Sequence, residues 1–325
     1  MTIRPESPMS SPSPKSVEIL QLCALMPNLE AALAERFTIH RAYEPETESR
    51  IDALAARIRG VVTGGHIGIS ADLAARLPAL EIVAINGVGF DKVDLDEARR
   101  RGIRVSNTPD VLTEDVADLA VGLTISLLRQ IMRGDRHVQD GGWLKGDLGL
   151  GTKVSRKRVG ILGLGRIGQA IARRLEGFDA EISYHNRNRR DDVAYAYADT
   201  AKALAKDCDV LIVAAAASAE TKDIVDAGVL EALGPEGYLV NVARGSVVDE
   251  PALIEALRTG GIAGAALDVF ADEPRVPTGL LGLSNAVLTP HMASATHETR
   301  QAMADLVLAN LDAHFAGRPL PSPLT

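Results

Sequence analysis

Val159-Gly160-Ile161-Leu162-Gly163-Leu164-Gly165-Arg166-Ile167-Gly168-Gln169-Ala170-Ile171-Ala172-Arg173-Arg174-Leu175 reads as an apolar strand, a glycine turn and a helix. Gly163, Gly165 and Gly168 have the G-x-G-x-x-G spacing of a dinucleotide-binding turn. The first glycine permits the tight turn, the second lets backbone approach a pyrophosphate, and the third lets helix and strand pack closely. Ile167, Ala170, Ile171 and Leu175 recur at helical spacing, so the helix has one apolar face. Its N-terminus then points N–H groups and a positive dipole end at the phosphates. Leu164, Arg166 and Ile167 fill the turn and join the candidate cofactor contacts.

The whole chain has 325 residues, a length that suggests two domains. Aromatic residues make up only 3%, so its cores must be built from Ala, Val, Leu and Ile. A formal charge of -8 argues against a nucleic-acid partner, which needs a basic surface. Cys23 and Cys208 stand far apart with no disulfide framework, which fits a reducing cytoplasm. The His residues lack metal-ligand spacing, so no metal is expected. No apolar run is long enough to span a membrane. Residues 1–16, with Pro5, Pro8, Pro12 and Pro14 among serines, read as a disordered leader.

Upstream of the glycine turn, strands at 17–23, 37–43, 60–63, 82–86 and 103–106 alternate with helices at 28–36, 70–76 and 95–101. Thr47 is expected to cap a further helix running to Arg59, with Ile51, Leu54, Ala55 and Ile58 on its apolar face. Such alternation implies a parallel sheet covered on both faces. After Pro109, Thr113 opens a long connecting helix to about Arg136, followed by a glycine-rich loop that holds Trp143. The second half repeats the pattern, with strands at 158–162, 181–184, 209–214, 238–242, 264–269 and 286–289 and helices at 169–175, 201–206 and 251–259. A final amphipathic helix covers 296–315. The fold class is α/β, with two Rossmann-like or flavodoxin-like domains: 17–108 plus 291–325 as the substrate domain, and 109–290 as the dinucleotide-binding domain. Gly64-Gly65-His66 and Gly87-Val88-Gly89 are also glycine turns after strands, but neither completes the fingerprint; they line a crevice or turn for steric reasons alone.

The fingerprint expects an acid about 20 residues on, to accept bonds from the ribose 2′-hydroxyl. Here stands His185-Asn186-Arg187-Asn188-Arg189-Arg190, with no acid. A carboxylate would repel a 2′-phosphate, whereas a guanidinium binds one through paired charge-assisted bonds. The plain alternative is a solvated basic turn. NADPH is expected over NADH.

Three late segments are polar where strands end: Asn241-Val242-Ala243-Arg244-Gly245, Leu267-Asp268-Val269-Phe270-Ala271-Asp272-Glu273-Pro274 and Thr289-Pro290-His291-Met292-Ala293. Ligands of open α/β sheets bind outside such carboxyl ends. The order Arg244, Glu273, His291, with Val88-Gly89-Phe90-Asp91, Val105-Ser106-Asn107-Thr108-Pro109 and the glycine turn, closely resembles the D-isomer-specific 2-hydroxyacid dehydrogenases. Within them it looks most like NADPH-preferring glyoxylate/hydroxypyruvate and hydroxyphenylpyruvate reductases. Ala243 and Ala293 stand where that family often has glycine.

The resemblance implies reduction of a small 2-oxoacid to the D-2-hydroxyacid, in an active site between two domains. By it, Arg244 holds the substrate carboxylate and polarises its keto oxygen, His291 is the general acid, and Glu273 is its partner. A carboxylate beside an imidazole favours the protonated ring, so the chemistry agrees in sign. Backbone N–H groups of Val88 and Gly89 would anchor the substrate, with Gly65, His66 and Trp143 as further substrate candidates. Thr113, Val242, Ala243, Asp268, His291 and Ala293 would face the cofactor. A homodimer is implied, with Trp143 either reaching the partner's pocket or only packing at the interface. Another 2-oxoacid is the enzymatic alternative; co-repressors that sense nucleotides share the fold and are the alternative of a different class.

Overall fold

The computed structural model describes residues 17–325; the leader assigned to 1–16 lies outside them. The chain forms two compact units, one of 17–112 with 296–325 and the other of 113–295. Residues 291–295 therefore group with the second unit.

In the first unit, β1 (Glu18–Gln21), α1 (Pro27–Arg36), β2 (Thr38–Arg41), α2 (Pro45–Glu48), α3 (Ile51–Leu54), β3 (Ile58–Gly64), α4 (Ala71–Ala75), β4 (Ile82–Asn86), α5 (Leu95–Arg100) and β5 (Arg104–Ser106) follow in sequence. All strand pairs are parallel, in the order β2-β1-β3-β4-β5. Alternation along each strand sends Ile19, Val62, Ile82 and Ala84 to one core and Leu20, Val61, Val83 and Ile85 to the other. The helix expected from Thr47 to Arg59 is replaced by the short α2 and α3, and Ile58 opens β3. Its apolar spacing was real, since Ile51, Leu54 and Ala55 are buried, but Ile58 pairs with Glu18 of β1 instead of completing a helical face.

The second unit contains α6 (Thr113–Leu128), α7 (Ile131–Gln139), β6 (Arg158–Leu162), α8 (Arg166–Glu176), β7 (Glu181–His185), β8 (Ala196–Tyr197), α9 (Ala201–Lys206), β9 (Val210–Val213), α10 (Ala227–Leu233), β10 (Tyr238–Asn241), α11 (Glu250–Thr259), β11 (Gly264–Leu267) and β12 (Ala286–Leu288). The long connecting helix is broken at Gln130, whose backbone is left-handed at φ 54°. There the returning chain takes over the helix end: Thr152 N–H donates to the Leu128 carbonyl at 2.7 Å. The sheet runs β12-β11-β10-β9-β6-β7-β8, all parallel. Strand order reverses between β6 and β9, and the ligand crevice of a doubly wound sheet opens at the carboxyl ends of such a pair. α12 (His297–Phe315) returns to the first unit, capped by the Thr296 hydroxyl and burying Ala304, Val307, Leu308 and Leu311 against the β1 and β4 face.

Candidate active site

β6 delivers the chain into the glycine turn at the reversal point. Gly163 adopts φ 98°, and a Cβ there would lie 2.5 Å from the Ala215 backbone of the loop after β9. A Cβ on Gly168 would overlap the Gly163 carbonyl, so α8 packs against its strand at glycine distance. A Cβ on Gly165 would meet nothing within 4 Å, so this glycine leaves an open approach to backbone. No side chain caps α8, whose first N–H groups follow directly from Gly165. Tight turn, open approach and helix N-terminus together fit a pyrophosphate. The Leu164 side chain is buried, and its N–H is held by Asn186 Oδ1 at 2.6 Å, which ties the turn to the loop after β7. Arg166 opens α8 on the exposed side, and Ile167 is half-buried.

The basic loop after β7 is pinned at both ends. Tyr197 donates to the Asn186 carbonyl at 3.1 Å, and Arg190 N–H donates to the Tyr184 hydroxyl at 2.9 Å. Arg190 pairs with Asp192, which raises its guanidinium above the usual range, and also reaches the Leu164 carbonyl at 3.3 Å. Asn188 and Arg187 are exposed, and Arg187 Nη1 meets Glu220 Oε2 at 3.1 Å.

Arg244 follows β10, where Asn241 shapes its loop: Asn241 Oδ1 accepts from Ala243 N–H at 3.0 Å, and Nδ2 donates to the Arg244 carbonyl at 3.0 Å. Val242 and Ala243 are buried, and Arg244 Nη1 donates to the Ala243 carbonyl at 2.8 Å. A Cβ on Gly245 would overlap the Phe270 carbonyl and Ala271 nitrogen, so the Arg244 loop seats directly on the loop after β11. That second loop is braced by Glu250 Oε1, which accepts from Ala271 N–H at 2.8 Å. Burial pushes the Glu250 carboxyl above its usual range and the charges of Asp272 and Glu273 add to this, against the Ala271 bond.

Glu273 and His291 meet here. Glu273 Oε1 accepts from Phe270 N–H at 3.0 Å, while Oε2 lies 2.7 Å from His291 Nδ1. Buried Asp268 holds the His291 loop, accepting from the Thr289 hydroxyl at 2.7 Å, Met292 N–H at 2.9 Å and Ala293 N–H at 3.0 Å. His291 itself has φ 50°. The sequence resemblance puts Asp268 only near the cofactor; its organising role, and that of Glu250, carries no sequence signal beyond an acid near a strand or helix end. Thr113 is the first residue of α6.

In the first unit, the Asn107 amide donates to the Val88 carbonyl at 2.8 Å. A Cβ on Gly65 would come 2.9 Å from the Gly89 carbonyl, so the two glycine turns after β3 and β4 touch. His66 is exposed, with its ring beside Gly64. Trp143 is 65% exposed, its indole donating to Asp147 at 3.3 Å. Among the described residues no cluster of His, Cys, Asp and Glu could hold a metal ion, and no helix is long and apolar enough to cross a membrane.

The second unit, with its order reversal, glycine turn and acid–imidazole pair, is that of a dinucleotide-dependent dehydrogenase. Residues 121–293 match the model of the NAD binding domain of the D-isomer specific 2-hydroxyacid dehydrogenases. A glyoxylate/hydroxypyruvate reductase A of Arabidopsis thaliana is 49% identical over 311 residues, covering 95% of this chain and 99% of that protein. A hydroxyphenylpyruvate reductase of Plectranthus scutellarioides is 48% identical, with coverage of 95% and 99%. The solved structure of an NADPH-dependent glyoxylate/hydroxypyruvate reductase from Sinorhizobium meliloti, in complex with NADP and malonate, superposes with TM-score 0.90 at 43% identity, covering 95% of this chain and 97% of that one. The chain belongs to the D-isomer specific 2-hydroxyacid dehydrogenase family, and its second unit is a nicotinamide-dinucleotide-binding domain.

Proposed function

We propose that the protein reduces a small 2-oxoacid of the glyoxylate or hydroxypyruvate type to the D-2-hydroxyacid, with NADPH preferred over NADH. The observation that carries this is the 2.7 Å pairing of His291 Nδ1 with Glu273 in the unit that bears the glycine turn. When bound, the nicotinamide supplies the hydride. His291 gives the proton to the keto oxygen, with its Nδ1 side held by Glu273. Arg244 holds the carboxylate and polarises the keto group, and from the first unit the N–H groups of Val88 and Gly89 take the carboxylate. Gly65, His66 and Trp143 remain candidates for the substrate's far end. Thr113, Val242, Ala243, Asp268 and Ala293 belong to the proposed cofactor set, with the turn residues 163–168 on the pyrophosphate. NADPH preference rests on Asn186-Arg187-Asn188, a segment after β7 that offers a guanidinium and carries no acid of its own.

The test is turnover of glyoxylate, hydroxypyruvate and bulkier 2-oxoacids such as hydroxyphenylpyruvate, each with NADPH and NADH. Highest kcat/KM with the small acids and NADPH is expected. Best use of a bulky aromatic acid would move the reading to the hydroxyphenylpyruvate type, and no turnover of any would favour a nucleotide-sensing, co-repressor-like role. His291→Ala should lose at least about 10²-fold in kcat.

The reading includes a homodimer. α7 and the following segment expose Ile131, Met132, Val138, Trp143, Leu144 and Leu150, apolar side chains that a second copy would cover. A reducing, cytoplasmic setting is supported by the free thiols Cys23 and Cys208.

A further inference from the structure

Arg187 follows β7 and Glu220 follows β9, and in the sheet β6 lies between those two strands. Their 3.1 Å ion pair therefore reaches across the end of β6, over the side on which the glycine turn stands. Both partners are well exposed, at 79% and 69%, and such a pair adds little to stability. The turns that carry them are held by hydrogen bonds. Thr221 Oγ1 accepts from Ser218 N–H at 2.8 Å and donates to the Ala216 carbonyl at 2.8 Å, which fixes the turn carrying Glu220. On the other side Tyr197 and Leu164 hold Asn186 by its carbonyl and its side chain.

We infer that Glu220 sets the cofactor selectivity of this protein by competing for Arg187 with the 2′-phosphate. This rests on the reading of Arg187 as the 2′-phosphate partner. A nucleotide with a free 2′-hydroxyl leaves the carboxylate on the guanidinium. A 2′-phosphorylated nucleotide needs that guanidinium, must take it from Glu220, and then has a carboxylate as neighbour. Like charges placed together cost binding, so Glu220 holds the preference for NADPH below what Arg187 alone would give.

The experiment is calorimetric titration with two cofactor fragments, 2′,5′-ADP and 5′-AMP, at an ionic strength of about 0.15 M, where partly screened charges still interact at this range. Glu220→Gln keeps shape and removes charge. It should tighten 2′,5′-ADP by about 3- to 10-fold and change 5′-AMP by less than about 2-fold. Arg187→Ala should weaken 2′,5′-ADP by about 10-fold or more, and in that background Glu220→Gln should lose most of its effect. Equal changes for both fragments, or none, in Glu220→Gln would overturn the role of Glu220, while a selective loss in Arg187→Ala would leave the underlying reading standing. Unchanged 2′,5′-ADP affinity in Arg187→Ala would overturn both.

Discussion

Asp268 holds His291 in place through the backbone on both sides of the loop: its carbonyl accepts from His291 N–H at 2.8 Å, and its carboxylate accepts from the next two N–H groups. His291 needs that support, because its φ of 50° lies in the left-handed region, which costs a non-glycine residue roughly 1–3 kcal/mol. A carboxylate has two acceptor oxygens, whereas an amide has one and turns an NH₂ group toward the donors it faces. Asp268→Asn is therefore expected to lower kcat by about 10- to 100-fold through misplacement of the imidazole. Thermal unfolding of the same variant should show a lower Tm, since buried N–H groups lose their acceptor. Turnover within twofold of wild type would remove Asp268 from this role.

Glu273 differs from Asp268 in what it offers the ring. Glu273→Gln keeps the side-chain shape and an oxygen for Phe270 N–H, but it removes the charge beside Nδ1. Nδ1 then faces a neutral amide in place of a carboxylate, and the ring loses the anionic partner that orients it and offsets its positive charge. A fall in kcat of about 10- to 100-fold is expected, with KM for the 2-oxoacid changed far less. Steady-state kinetics of reduction decide it: an effect confined to KM would mean that Glu273 serves binding and not proton donation.

The parts of this arrangement that were legible in sequence are those where one residue type has a steric or chemical monopoly. Gly163 and Gly168 stand where a Cβ meets backbone, and the helix after them shows its apolar period directly. Glu273 and His291, which the structure brings together, each follow a strand end, where a polar residue interrupts an apolar run. Other features depend on partners distant in sequence and carry no local mark. The break of the connecting helix at Gln130 is decided by the chain returning at Thr152. Ile58 has a place in an apolar helical period, yet pairing with β1 made it the first residue of a strand. Likewise Glu220 is an ordinary surface acid until Arg187 is brought to it.

The exposed apolar side chains after α6 set up a test of assembly. Leu144 is 95% exposed and Leu150 97%, and Trp143 lies beside them in sequence, an arrangement that costs solubility unless it is covered. On the proposed homodimer, wild type should have twice the mass of one chain in light scattering after size-exclusion chromatography, and Leu144→Asp should have the mass of one. A fold that is intact by circular dichroism and a mass still twice that of one chain would exclude this face as the contact.

The pH dependence of stability has a source in the first unit. His314, at the end of α12, is largely buried, with Nε2 3.2 Å from Glu81, which Arg59 also grips through two bonds at 2.6 and 3.0 Å. Burial pushes the imidazole below its usual range, and the Glu81 bond and charge only partly offset that. The unfolded chain therefore takes up this proton at a higher pH than the folded one. The resulting stabilisation is complete above the ordinary histidine value of about 6.5 and is lost as pH falls through the lower folded value. Glu250 slopes the other way, since its raised carboxyl contributes most below the ordinary range and loses that contribution as pH rises. A single pH curve thus mixes opposed contributions, and the informative quantity is the difference between wild type and His314→Gln. In denaturant unfolding at pH 5 to 8 the two curves should diverge only on the acid side, with wild type falling more steeply. Parallel curves across that range would show that His314 titrates alike in the folded and unfolded chain.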